Sequence, residues 1–336
     1  MANYPTLSDI VGAMQNPLQC FKSQELKGGT VLKKNNRILQ YSGGYTTVFP
    51  FLTKKQKKVA LRCWIADIGE AKHRSMAIAN YLKQLQSPYF VDFIYVDQAL
   101  LVQGKNYPVV LMDWIEAKTL KDFIEEHIKR TPELIKTLAE KFKEMVMYLH
   151  LQKIAHGDLQ HGNLLVKPDC SLTLIDYDSM YISPLDGMPD SIKGLPGYQH
   201  PARLTNTLVH NKLDYFSETV IYLSLLVFSE MPDLWPKYFE TEDLLFSKLD
   251  FASPSTSEIF NLLRRSKNRV VTQLTQSLMD QLAEKDIKNL LPLEELLVDK
   301  LAAVRDHIAS KWDHQPNPPS NKSAVIANPL GIIQKM

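Results

Sequence analysis

The stretch His156-Gly157-Asp158-Leu159-Gln160-His161-Gly162-Asn163, with Asp176-Tyr177-Asp178 beginning thirteen residues after the Asn, constrains this chain more than any other feature. The apolar runs Leu164-Leu165-Val166 and Leu172-Thr173-Leu174-Ile175 flank a Lys-Pro-Asp turn, so they predict a short β-hairpin. That hairpin holds Asn163 at its entrance and Asp176 at its exit. An amide and a carboxylate are thereby brought close to Asp158.

The chain of 336 residues is long enough for one two-lobed domain or two small ones. Residues 1–26 read as a helical and irregular lead-in, broken by Pro5 and Pro17. From Thr30 to Trp64 the pattern is strand-like, with turns at Lys33-Lys34-Asn35-Asn36, Ser42-Gly43-Gly44 and Thr53 to Lys58. Helical spacing covers 69–86 and stops at Ser87-Pro88. Strands follow at Phe90 to Val96 and Val109 to Trp114. After Ile115 the spacing is mainly helical: Leu120 to Lys129, Pro132 to Gln152, a buried helix over 214–229, and further helices near 241–249, 256–266, 268–284 and 293–312. From His314 the composition shifts to Pro, Asn, Ser and Lys, which predicts a flexible tail. The expected division is lead-in 1–26, a small β-rich lobe with one helix over 27–115, a large mainly helical lobe over 116–313, and tail 314–336. The fold class is α+β.

Charge and cysteine content exclude several functions. The chain carries 39 basic and 37 acidic residues, a balance unlike that of a dedicated nucleic-acid binder. Lys54-Lys55-Gln56-Lys57-Lys58 reads as a solvated turn between strands. Cys20, Cys63 and Cys170 form no spaced pair, so neither a disulfide framework nor a zinc site is expected, and a reducing cytoplasm fits best. The start Met-Ala-Asn-Tyr-Pro lacks the basic-then-apolar pattern of a signal peptide. The longest apolar stretch, Val220 to Phe228, is too short for a bilayer. His161 and His200 lack metal-ligand spacing with any Cys and read as structural.

Two further segments follow in order. Gly194-Leu195-Pro196-Gly197-Tyr198-Gln199-His200-Pro201-Ala202 is similar to Gly-Thr-x-x-Tyr-x-Ala-Pro-Glu, the end of a kinase activation segment. Asp214-Tyr215-Phe216-Ser217 resembles the Asp-x-Trp-Ser that opens the central helix of a kinase large lobe. The chain thus resembles the protein kinase-like superfamily, from about residue 16 to about 236. Within it, the loop His156–Asn163, the lead-in Asn16-Pro17-Leu18-Gln19-Cys20-Phe21 and Ser87-Pro88-Tyr89-Phe90-Val91-Asp92-Phe93 are most similar to bacterial eukaryotic-like Ser/Thr kinases. The resemblance implies ATP and Mg2+ as cofactors, Asp158 as the base that takes the acceptor's proton, and Asn163 and Asp176 as magnesium ligands beside the triphosphate. It implies a protein as substrate or partner, with Asp214 anchoring the catalytic loop.

The small-lobe positions carry over with departures. Tyr41-Ser42-Gly43-Gly44-Tyr45-Thr46-Thr47-Val48 lies over the glycine-rich phosphate loop, with Gly43 and Gly44 leaving the backbone open to phosphate and Val48 over adenine. In Val59-Ala60-Leu61-Arg62, Ala60 lines the nucleotide and Arg62 replaces the phosphate-gripping lysine, a swap that is not conservative at a tight site. The next helix has no acid at 76–82 to pair with that cation, and Glu70 sits too early, so the usual Lys–Glu pair is absent or rebuilt. Met112 lies behind adenine, with backbone groups of Asp113 and Ile115 as its hinge. Gln160 and Leu195 replace the lysine and threonine that normally bond the catalytic Asp and the incoming phosphate. Gly157 replaces the Arg that answers an activating phosphate, so no such phosphate needs residue 157. Asp178 replaces the glycine of Asp-Phe-Gly. Three readings stay open: an active Ser/Thr phosphotransferase, a nucleotide-binding pseudokinase scaffold, and a small-molecule kinase. The Gly194–Ala202 segment and the Asp214 helix weigh against the third.

Overall fold

A computed structural model describes residues 4–66 and 70–297. Two short helices, α1 (Leu7–Met14) and α2 (Pro17–Cys20), precede the strands β1 (Thr30–Val31), β2 (Lys33–Lys34), β3 (Arg37–Ile38), β4 (Tyr41–Ser42), β5 (Thr46–Leu52) and β6 (Lys58–Trp64). Helix α3 (Ala71–Leu85) follows, then β7 (Phe93–Val102) and β8 (Lys105–Asp113). The antiparallel sheet runs β1-β5-β6-β8-β7, with β4 also on β5. The strands β7 and β8 are longer than the spacing predicts. They meet at Gln103-Gly104, both at positive φ (48° and 78°), the geometry of a two-residue hairpin turn.

The alternation of side chains along this sheet feeds two separate cores. Val59, Leu61 and Cys63 of β6, with Val109 and Leu111 of β8 and Phe49 and Phe51 of β5, face Ile10, Met14, Phe21 and Leu26. The lead-in is therefore the cover of the sheet's outer face. Phe21 packs edge-on to Phe51 with ring centroids 5.3 Å apart, and Lys22 N–H donates to Ala99 O. Ile10→Ala should destabilise the protein by about 2–3 kcal/mol, the lower end for a buried aliphatic because a terminal helix can settle into part of the void. Denaturant unfolding with an unchanged midpoint would mean that the lead-in contributes nothing to the core.

The opposite face of the sheet carries Val48, Ala60, Arg62, Val110 and Met112, as the register Val48↔Arg62↔Val110 and Ala60↔Met112 requires. It looks toward the second part of the chain: β9 (Lys118–Thr119), α4 (Leu120–His127), α5 (Pro132–Leu151), β10 (Leu164–Val166), β11 (Leu172–Leu174), α6 (Tyr215–Glu230), α7 (Trp235–Phe239), α8 (Lys248–Ala252), α9 (Glu258–Leu263), α10 (Arg269–Ala283) and α11 (Leu293–Leu296). Helix α6 is buried along almost its whole length. The outcome is two unequal lobes, one built on a sheet and one on helices.

The helix expected over 241–249 is not there. Leu244, Leu245 and Phe246 all point into the core from an irregular segment, and Lys121 Nζ takes the carbonyls of Thr241 and Asp243. Those carbonyls then have no need of intrahelical partners. The helices that do form here are α7, which opens at Trp235-Pro236, and α8. The helix expected over 293–312 is described only as Leu293–Leu296, and the tail over 314–336 lies outside the described residues. His150 of α5 ties this end in place, its two ring nitrogens 2.8 Å from Glu218 and 2.8 Å from Glu294. Burial opposes its charge, but the two carboxylates outweigh burial and raise it to about 10, so it is an imidazolium donating on both sides.

Candidate active site

The loop from His156 is fixed from beneath by Asp214, whose carboxylate accepts the backbone N–H of His156 and of Gly157, the latter at 2.8 Å. An Asp ahead of an apolar helix ordinarily caps it. Here the side chain makes no bond to α6 and crosses to the loop instead. His156, wholly buried, accepts the N–H of Asp158 at Nδ1, so Nε2 carries the proton and donates to Ile175 O at 2.9 Å. Gly157 has φ 77°, and a Cβ there would lie 2.2 Å from Ser179 O. No side chain fits at this position, an arginine included.

Asp158 is gripped on both oxygens. Oδ1 accepts from Leu195 N–H at 3.1 Å, and Oδ2 accepts from Asn163 Nδ2 at 3.0 Å, while the same Nδ2 reaches Asp158 O at 2.9 Å. Burial pushes the Asp158 carboxyl above the usual carboxylate range, and the Leu195 N–H, Arg203 and Asn163 pull it part of the way back. Asn163 begins the hairpin β10–β11, whose register is Leu164↔Leu174, and Asn163 O accepts Ile175 N–H at 3.0 Å. With its nitrogen committed to Asp158, the amide presents Oδ1 to the other side. Asp176 leaves β11 at φ 66°, a left-handed conformation seldom taken by side-chain-bearing residues and often found at functional sites.

Arg62 reaches this group from the sheet. Nη2 bonds Asp176 Oδ1 at 2.7 Å and Asp178 Oδ2 at 2.5 Å, Nη1 bonds Asp178 Oδ1 at 2.7 Å, and Nε bonds Thr46 Oγ1 at 3.3 Å. The acid missing from α3 is thus rebuilt as Asp178, two residues beyond Asp176. Helix α3 contributes a cation instead: Arg74 donates to Met180 O at 3.2 Å and Pro189 O at 3.0 Å. The other small-lobe positions sit around the same face. Gly43 and Gly44 lie in the β4–β5 hairpin turn, where a Cβ added to either would meet no heavy atom closer than 4.0 Å, so nothing within the described residues requires glycine there. Val48 and Ala60 are half-buried, Met112 is buried at the end of β8, and Asp113 pairs with Lys57 at 2.5 Å. Ile115 lies half-buried in the connection to β9.

The segment between Asp178 and Asp214 is held by Arg203, which is 1% exposed. It donates to Asp190 Oδ1 at 3.1 Å and Oδ2 at 3.2 Å, to Ile192 O, to Gly157 O and to Gln199 Oε1. Burial would raise the Asp190 carboxyl, but the fork of Arg203, with Asn206 and Lys193, holds it below the usual range. A buried carboxylate–guanidinium pair thus braces this segment, and Arg203 also ties it to the catalytic loop at Gly157 O.

Histidines near this segment are acid-sensitive. His161 faces the Tyr198 hydroxyl at 2.6 Å, and burial, then Lys121, lowers it to about 4. Burial, then Lys288 and Arg203, lowers His210 to about 4 as well. A histidine whose folded pKa lies below its unfolded value supports stability above the unfolded value, and that support is lost as pH falls through the window between them. Unfolding free energy should therefore drop from pH 6.5 toward pH 4, by on the order of 2–3 kcal/mol since both residues are only half-buried. His161→Asn should flatten part of this slope, and an unaltered slope would assign it to other groups. His200 instead bridges Gln281 O and Ala202 N–H, a brace rather than a ligand.

The family model described as the protein kinase domain matches residues 42–300. The chain belongs to the protein kinase family. Among curated relatives it is 26% identical over 179 residues to "Serine/threonine-protein kinase pakG" of Dictyostelium discoideum, covering 52% of this chain and 15% of that protein. It is 21% identical over 189 residues to "Serine/threonine-protein kinase ppk34" of Schizosaccharomyces pombe, covering 54% and 49%. It is 26% identical over 195 residues to "Mitogen-activated protein kinase kinase kinase 13-B" of Xenopus laevis, covering 58% and 19%. The matched part of the chain thus spans less than half the length of each of these relatives.

A protein kinase domain implies ATP and a divalent metal ion. The donor set of this kinase domain fits them: Asn163 Oδ1 and the Asp176 carboxylate are hard oxygen donors at the two ends of one hairpin, the kind of sparse set that a small divalent cation completes with phosphate oxygens and water. Among the described residues no cluster of three His, Cys, Asp or Glu side chains forms a metal cage, and no helix is long and apolar enough to cross a membrane. Asp178, Arg74, Asp190 and Arg203 shape this site although spacing alone does not single them out as a set. The one signal for Asp178 was its departure from the glycine of the pattern.

Proposed function

We propose that this chain is an ATP- and magnesium-dependent protein Ser/Thr kinase in which Asp158 takes the acceptor proton and Asn163 and Asp176 hold the metal. The observation that carries the reading is the Asn163 amide, bonded at once to the Asp158 carboxylate and carbonyl, with Asp176 presented beside it at the far end of the same hairpin. When bound, metal-ATP supplies the phosphoryl group and a cation that offsets its charge. Asp158, raised by burial and oriented by two donors, is a stronger proton acceptor than a free carboxylate. Gly43, Gly44 and Val48 lie over the nucleotide, Ala60 and Met112 against its base, the backbone of Asp113 and Ile115 along its edge, and Arg62 toward its phosphates. Placement among bacterial Ser/Thr-type kinases, and in a reducing cytoplasm, rests on the loop, the lead-in and the unpaired cysteines; the three relatives above are eukaryotic.

One observation favours a second reading, a nucleotide-binding scaffold: the Arg62 guanidinium occupies the Asp176 oxygen at 2.7 Å and competes with a cation for it. Thermal shift with ATP, with and without magnesium, together with transfer from γ-labelled ATP to the protein itself or to a Ser/Thr peptide library, separates the two. A magnesium-dependent shift with label transfer supports the kinase. A shift without label leaves the scaffold.

A further inference from the structure

The basic residues of this chain are unevenly spread. Nine of the first 58 residues are Lys or Arg against two Asp or Glu, while the remainder carries 30 against 35. In that first part Lys57 and Lys58 have acidic partners, Asp113 and Glu116. Lys27, Lys33, Lys34, Arg37, Lys54 and Lys55 are exposed and meet no carboxylate within ion-pair distance among the described residues.

The fold draws these six cations to one edge of the small lobe. β1 is the outermost strand there, with Thr30 opposite Leu52. The Lys27-Gly28-Gly29 turn therefore lies beside the turn that carries Lys54 and Lys55: a Cβ at Gly29 would sit 2.4 Å from Leu52 O. Lys33, Lys34 and Arg37 continue from the other end of β1 in the β2–β3 hairpin. Between this edge and the lead-in runs a cleft of about 370 Å3, with Met14, Leu18 and Val31 as apolar lining beside Gly28, Thr30 and Lys33. Leu18 is 63% exposed and lies over the Gly28 turn, its Cδ2 3.9 Å from where a Cβ of Gly28 would be. A lone exposed leucine needs no explanation, but one that walls a cleft edged by unpaired cations does.

The arrangement favours a peptide over other polyanions. Lipid headgroups or nucleic acid would meet the cations and leave the cleft and the strand edge unused, and no aromatic side chain in the cleft offers a base a stacking platform. An extended peptide uses all three features: its backbone can pair along an edge strand, an apolar side chain can enter the cleft, and its carboxylates can reach the cations.

We propose that the cleft between the α1–α2 lead-in and β1 docks an extended acidic segment of a partner protein, with carboxylates on Lys27 and Lys33 and an apolar side chain against Leu18 and Met14. The site lies on the side of the sheet covered by the lead-in, away from the face that carries Arg62 and Met112, and is independent of the catalytic reading.

The probe is a short fluorescein-labelled peptide of Asp and Glu with two central leucines, titrated against the full chain by anisotropy. Binding should saturate and weaken as salt is raised, since the cations are exposed. Lys27→Glu with Lys33→Glu should weaken it at least about tenfold and Leu18→Ser about threefold, with the melting temperature unchanged because all three side chains are exposed. Arg264→Glu with Lys267→Glu, an equal reversal of exposed charge on the large lobe, should leave affinity unchanged. Absence of saturable binding by the wild-type chain would overturn the proposal, as would undiminished affinity in the Lys27→Glu, Lys33→Glu variant. A peptide with serines in place of its leucines that bound equally well would reduce the contact to charge alone and overturn the cleft. Tighter binding of a poly-dT oligonucleotide or of phosphatidylserine vesicles at the same salt would overturn the peptide in favour of that anion.

Discussion

Phosphoryl transfer by an Asp158→Asn variant should fall by about a thousandfold, the middle of the range for loss of a positioned proton acceptor. Nucleotide affinity should change little, because Asp158 touches the catalytic loop and the segment around Leu195 rather than the sheet that carries Val48, Ala60 and Met112. The substitution keeps the side chain's shape and its oxygen for the Leu195 N–H. It loses the basic carboxylate, and it turns an NH2 toward Asn163 Nδ2, where an acceptor stood 3.0 Å away. Asp158→Ala removes the base without this clash of donors and should lose as much transfer. The two variants together, measured with γ-labelled ATP beside a thermal shift, isolate the proton step from disturbance of Asn163. Undiminished transfer in Asp158→Ala would take Asp158 out of the chemistry. A collapse of nucleotide affinity in both would assign it to holding the site together.

What could be read from the residues, and what could not, follows from the range of each interaction. The convergence of Asn163 and Asp176 was legible because it is local: one hairpin, with turn formers between two apolar runs, fixes both ends. The role of Asp214 was legible only from its place in a series of motifs, since an acidic residue before an apolar helix looks the same whether it caps that helix or crosses to a loop. The outer cover of the sheet was missed for a different reason. β6 is apolar on both faces except at Arg62 and its first residue, Lys58, so alternation could not show that Leu61 and Cys63 face the lead-in while Ala60 and Arg62 face the cleft. The Leu244-Leu245-Phe246 run suggested a helix because periodicity reports burial, and a segment whose carbonyls are taken by Lys121 can be buried without being helical. The partner of Arg62 was beyond reach altogether: Asp178 lies 116 residues away in the chain, and only folding makes them neighbours.

That pair yields the other large effect. Arg62→Met should destabilise the protein by about 3–5 kcal/mol, because breaking a buried pair strands a charge that has lost access to water. Asp178 is the stranded group: its side chain is 11% exposed, against 40% for Asp176, which water can still serve. Asp178→Gly, which installs the residue of the usual pattern, should cost less, since Arg62 keeps Asp176 and Thr46. The double variant should then be more stable than Arg62→Met alone, a coupling of about 1–3 kcal/mol in a double-mutant cycle. Arg62→Lys should not restore the wild-type state, because a single ammonium cannot span two carboxylates and a hydroxyl as a fork does. The arrangement ties Arg62 to the segment that carries Asp176, and not to α3; if Arg62 faces the phosphates as proposed, ordering that segment and seating the cation become one event. Additive stabilities in the cycle, measured by urea unfolding at low and high salt, would reduce the contact to a surface pair and remove that linkage.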